Sequence, residues 1–270
     1  MSTTVSTSHT HLHLTESGEH LVSHDAKYSD IGRWLRQGWM DMAHAPGASL
    51  FYGSIMALSV ALVYFSFIAE PLMMFKVATF FVLLSPFLAT GLYYVAQQLE
   101  QGKQPSLSAS LVAWRPNVGE FALFAVALGL VIAIWARITP MIAAVVKSNS
   151  LLIVDPNAGL MGFLSSDAGL SFLAYFMIGA VIATAFVFTI SVVTIPLLLR
   201  DNNIGAVQAM IISFQVTMEN KGVMAVWALT VGALVTLGLV TFGLAMLIVM
   251  PLLGYASWHA FNDLVEIKES

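Results

Sequence analysis

Histidines are the residues in this chain with the most evident capacity for chemistry. His9, His11 and His13 alternate near the amino terminus, with His20 and His24 behind them. Imidazoles two apart can chelate Zn²⁺, Ni²⁺ or Cu²⁺, but nothing beside these fixes a geometry or supplies supporting hydrogen bonds. A polar, Ser- and Thr-rich tail that happens to hold histidines is the simpler reading, and no metal or cofactor is assigned to it. His259 and Asp263 stand i, i+4 near the carboxyl end, on one face of any helix there. A metal pair or a proton relay is compatible with that spacing. A helix end at headgroup depth favours such amphipathic residues in any case, and anchoring is preferred. His44 reads as the end of an amphipathic helix.

Three prolines interrupt otherwise apolar runs: Pro86 after Ser85, Pro196 two residues beyond Thr194, and Pro251 after Met250. Each removes one backbone N–H and frees the carbonyl four residues earlier, on Val82, Val192 and Leu247. In hydrocarbon those carbonyls need partners, so the kinks are expected inside a bundle, beside Ser85, Thr194 or water. Ser85, Pro86, Thr194, Pro196 and Pro251 are the candidate pathway or kink residues, with helix bending for packing as the preferred role. No catalytic set is found: G-x-S-x-G, H-E-x-x-H and a phosphate loop with lysine are all absent, as is cysteine. The reading is therefore of a non-enzyme.

The elements that position these residues follow from composition. Of 270 residues 58% are apolar and 10% charged, and the mean hydropathy is +0.83. About a quarter of a soluble chain is charged, so the solvent here is lipid. Charge-free windows run for 28 residues after Asp41, 23 after Lys76, 16 after Glu120, 32 after Asp167 and 41 after Lys221. Roughly 20 apolar residues span a bilayer, so the first, second and fourth windows hold one span each. The third holds one if Arg137 snorkels from its far end beside Trp135 and Pro140. As a single helix the fifth would be about 60 Å long, twice the hydrocarbon thickness, so it divides in two near Thr241 to Gly243.

An internal repeat supports the division. At an offset of 103, Ser110, Asn117, Gly119, Ala122, Ala125 and Gly129 meet identical residues at Ser213, Asn220, Gly222, Ala225, Ala228 and Gly232. At an offset of 165, Pro86 meets Pro251, Tyr93-Tyr94 meets Trp258-His259, and Leu99 meets Leu264. A short amphipathic stretch precedes each hairpin: Ile31, Trp34, Leu35, Trp39 and Met42; then Leu107, Leu111 and Trp114; then Val207, Ile211, Phe214 and Met218. All three are read as lying in the headgroup plane. The expected fold is all-α, a polytopic transmembrane helical bundle of six spans, as three proline-kinked helical hairpins with interfacial helices. Five spans remain the alternative. The domain division is a disordered tail over 1–29, the six-helix domain over 30–265, and a short tail over 266–270, with residues 1 to 25 dispensable for insertion and stability.

With both termini cytoplasmic, eight of the eleven Lys and Arg fall on the inner side, leaving Lys76, Arg137 and Lys147 outside. The longest outer connection then runs from Lys147 to Asp167. The first 30 residues are polar, so the first span is expected to act as an uncleaved signal-anchor. The expected partners are the bilayer and other membrane proteins or a second copy, with no nucleic acid.

Arg33-Trp34-Leu35-Arg36-Gln37-Gly38-Trp39, then Pro46-Gly47-Ala48-Ser49-Leu50-Phe51-Tyr52-Gly53, Ser85-Pro86-Phe87 and Trp258-His259-Ala260-Phe261 carry a resemblance. Through them the chain resembles the bacterial predicted integral membrane proteins of domain-of-unknown-function family 2189, over most of its length after about residue 30. The resemblance implies an inner-membrane protein of around six helices, and carries over no activity, substrate or site. It does not extend to a haem-copper oxidase subunit, which needs several intramembrane histidines, whereas here only His259 lies in a long apolar run. A structural or accessory component of a membrane assembly is the expected role, with a small-solute or ion permease or channel as the alternative.

Overall fold

The computed structural model describes residues 10–14, 20–149 and 159–268. Within them, two strands, β1 (Thr10–Leu14) and β2 (His20–His24), lead into α1 (Tyr28–His44) and α2 (Pro46–Phe67). Then come α3 (Pro71–Leu88), α4 (Thr90–Glu100), the single turn α5 (Leu107–Ser110) and α6 (Val118–Asn149). The chain continues through α7 (Gly159–Leu164), α8 (Asp167–Ser191), α9 (Thr194–Arg200), α10 (Ala206–Glu219), α11 (Lys221–Val240) and α12 (Met246–Leu264), and ends in β3 (Val265–Lys268). One order of elements occurs three times: a lead-in helix, a long apolar helix, and a helix carrying a proline.

Five helical segments are long and apolar enough to cross a membrane: Pro46–Phe67, Pro71–Glu100, Leu107–Val146, Asp167–Arg200 and Lys221–Val240. Only 17 to 28% of their most apolar windows is buried within the protein. Leu58, Leu62, Phe65, Val126, Leu130, Ile178, Ile182 and Leu229 point outward. Such a surface is stable only against hydrocarbon. The protein is a multi-pass helical membrane bundle. The 41-residue window does divide, with Phe242 and Gly243 at positive φ in the turn between α11 and α12. α12 has 19 residues and follows the other five, but its second half carries Trp258, His259, Asn262 and Asp263 and is mostly buried.

The bundle has two layers of different character. In the apolar layer α2, α3, α6, α8 and α11 pack loosely with outward apolar faces. In the base, α1, α4, α9, α10 and the second half of α12 pack tightly: Trp34, Leu92, Val95, Ile195, Leu197, Leu198, Trp258 and Phe261 are all at or near zero exposure. Pro86, Pro196 and Pro251 lie where long helices pass from one layer to the other. α3 gives way to α4 at Ala89, α8 to α9 at Val192 and Val193, and α12 runs on through Pro251.

The structure bears on three expectations. The described part of the segment 1–29 is ordered as β1 and β2, which join β3 in an antiparallel sheet of order β1-β2-β3. The physical cause is burial: Leu21, Val22 and Val265 are inside, and the Ser23 hydroxyl donates to Glu219. For the same reason residues 265–268 are a paired strand, and α1 starts at Tyr28, so the boundaries at 29 and 265 do not separate structural units. Residues 1–9 and 15–19 of the tail, residues 150–158 of the expected outer loop, and residues 269–270 lie outside the described residues.

α1 is the second. Ile31 and Trp34 are buried, and Leu35 and Met42 half-buried, in the protein core, while Trp39 stays exposed. α10 does keep Val207, Ile211, Phe214 and Met218 on its outer face. The third concerns α6, which continues through Pro140 to Asn149. At 1.5 Å per residue, Arg137 stands about 28 Å from the start of α6, near headgroup depth, and its side chain is exposed.

Candidate functional site

The densest polar arrangement is at the end of α12, and helical spacing divides it into two stripes. Tyr255, His259 and Asp263 recur every fourth residue and face the α1–α2 pair. Tyr255 Oη lies 3.1 Å from Ser49 Oγ. His259 Nε2 lies 2.7 Å from Asp41 Oδ2, both side chains about one-fifth exposed. Asp263 Oδ2 accepts from Arg33 at 2.7 Å and from the Trp34 indole N–H. Partner numbers fall as α12 numbers rise, so α1 and α2 together run antiparallel to α12. Gly38 makes the approach feasible, since a Cβ there would meet the Ala256 backbone nitrogen at 2.7 Å.

The second stripe, Trp258 and Asn262, faces α4 and α9. Glu100 Oε2 accepts from the Trp258 indole at 3.0 Å and from the Asn262 amide at 3.1 Å. Arg200 donates to Asn262 Oδ1 at 2.7 Å and stacks over Phe261, 5.9 Å from the ring centre. Beyond α12, Glu120 accepts from the Ala206 backbone N–H at 2.6 Å. Asn220 Oδ1 accepts from the Ala26 N–H at 2.8 Å, and its amide reaches the His24 carbonyl. These groups hold helices and strands to one another.

His259 and Asp263 thus share a face but not a ligand: each takes a different residue of α1. His24 lies 3.1 Å from Glu266, His11 is exposed on β1, and His44 Nδ1 meets the Met40 carbonyl in its own helix at 2.7 Å. His9 lies outside the described residues. Among the described residues no group of three or more His, Asp or Glu is placed to hold a metal.

The kink residues are placed as follows. Ser85 Oγ donates to the Val82 carbonyl at 2.7 Å, the group that Pro86 frees. Thr194 is buried and donates to Ile190 O at 2.6 Å. At the Pro196 break a hydroxyl of α10 enters the ladder: Ser213 Oγ donates to Thr189 O at 2.8 Å and accepts from Val193 N–H at 3.2 Å, replacing the direct bond between those two groups. Leu247 O, freed by Pro251, points at Gly53, where a Cβ would meet it at 2.5 Å. Ser85 and Met250 border one apolar cleft, and Thr194 does not. Sequence reasoning missed Ser213, although its identity with Ser110 across the repeat marked the position, and it missed Asp41, Ser49 and Glu100, whose partners are 158 to 218 residues away.

No curated protein and no solved structure matches this chain. The model of a family described as predicted integral membrane protein matches residues 72–200, from the first turn of α3 to the end of α9. Of the motifs that carry the resemblance only Ser85-Pro86-Phe87 lies in that stretch. Over residues 72–200 the chain is similar to this DUF2189 family of integral membrane proteins.

Proposed function

We propose that the protein is a non-enzymatic structural or accessory component of a membrane assembly, in the bacterial inner membrane, with six passes and both termini in the cytoplasm. The observation that carries the reading is that the carboxylates packed between α12 and its neighbours are taken up by side chains of the protein. Asp41 is bonded to His259, Asp263 to Arg33 and Trp34, and Glu100 to Trp258 and Asn262. An enzyme or a permease of this size would aim some of these groups into a space open to a substrate. The pairing of β2 with β3 supports an even number of passes, because it puts the two ends of the helical domain on one side. The partners in this reading are other membrane proteins or a second copy, met through the outward apolar faces.

The experiment uses the cysteine-free background. Single cysteines replace Ser85, Thr194 and Met250, and a control cysteine replaces the exposed Lys103. Small, charged thiol reagents are applied to the protein in proteoliposomes permeabilised to expose both sides. The expected outcome is full labelling at Lys103 and none at the other three. Labelling at two of the three would establish a water path and replace the scaffold reading with the permease.

A further inference from the structure

A cleft of about 190 Å³ opens in the apolar layer between α2, α3, α11 and α12. Met56, Met74, Ala78, Val235, Met250 and Leu253 represent its walls. The cleft lies between helices whose other faces are turned to the bilayer. Its outer end is capped by Tyr64 and Phe242, whose rings lie 4.4 Å apart. Towards the base it ends at Leu253, next to the contact of Gly254 with Leu92.

We propose that this cleft seats one acyl chain of a bilayer phospholipid as a resident lipid. Water is a poor occupant: an ordered water needs two to four polar partners, and the Ser85 hydroxyl is already bonded to the Val82 carbonyl. Leaving it empty forfeits dispersion contacts along the whole wall. A protein helix is about 10 Å across and too wide for this volume. Length identifies the chain. From Met74 to Ser85 the cleft follows α3 for eleven residues, about 16 Å at 1.5 Å per residue, or half of a hydrocarbon core of about 30 Å. It begins within a turn of the start of α3, so its depth is that of one leaflet's acyl chains. Four methionines, Met56, Met74, Met246 and Met250, give the wall unbranched side chains that adapt to a flexible chain.

The test reconstitutes the full chain in vesicles of phosphatidylethanolamine and phosphatidylglycerol containing a phospholipid with a diazirine in mid-chain, and maps the photoadducts by mass spectrometry. The expected result is enrichment of adducts on Met56, Met74 and Met250 over the outward-facing Leu58 and Leu229. Ala78→Phe should abolish the cleft adducts and leave those on Leu58 and Leu229. An even spread of adducts over the outer surface, or unchanged cleft adducts in a folded Ala78→Phe protein, would overturn the proposal. If that variant does not fold, the wild-type map decides alone. Extraction of a long isoprenoid from the purified protein, in place of a phospholipid, would overturn the acyl-chain assignment.

Discussion

Gly53 shows how a proline on one helix sets the residue on another. Pro251 has no N–H, so the Leu247 carbonyl is left without its helical donor, and in hydrocarbon it needs an approach by something polar or small. Gly53 lets α2 come close enough for its Cα to face that oxygen, a weak contact that a side chain would block. Gly53→Ala is therefore expected to lower stability by about 1–3 kcal/mol through overpacking, read as a fall in the thermal midpoint in detergent. Gly47, where a Cβ would meet nothing, should tolerate the same change without loss. The sequence exposes one half of this pair. That Pro251 frees Leu247 is readable from spacing alone, but Gly53 lies 194 positions earlier, and only the antiparallel run of α2 against α12 brings them together. His259 and Asp263 divide the same way: their common face is legible, their partners Asp41 and Trp34 are not.

At the scale of elements, α1 and α10 show the limits of reading amphipathic patterns. Both have apolar residues at helical spacing before a long apolar helix, and the periodicity is the same whether the stripe meets lipid or protein. What separates them is polar chemistry on the neighbouring helix. α12 offers His259 and Asp263 to α1, which draws Trp34 and Ile31 into the core, while α10 turns Ala206, Ala209, Ile212, Ser213 and Val216 inward and keeps Val207, Ile211, Phe214 and Met218 outward. Ser213 also repairs the α8–α9 break. Its replacement by alanine leaves the buried Val193 N–H and Thr189 carbonyl without a partner, and an unsatisfied buried group costs about 1–3 kcal/mol. Ser213→Ala is expected to be destabilised by that amount in denaturant titration. Ser108→Ala, on an exposed hydroxyl of α5, should be close to neutral.

For the whole molecule, composition and charge-free windows were enough to identify a helical membrane bundle and to divide the last window at Thr241 to Gly243. The three-stranded sheet was not legible. Its strands are four or five residues long, and β2 meets β3 across more than 240 positions, so neither shows a periodic signal of its own. Yet this sheet bears most directly on the proposed architecture, because it joins the start and the end of the helical domain, as the proposed even number of passes requires. In the cysteine-free chain, a Val22→Cys, Glu266→Cys pair occupies directly opposed positions of β2 and β3. Oxidation in intact membranes is expected to close a disulfide within one chain, seen as a faster-migrating species that reductant reverses, while Val22→Cys with Thr241→Cys stays open. Failure of the first pair to close, with a reporter at Ser270 on the opposite side from one at the amino terminus, would contradict the six-pass account and return the chain to five spans.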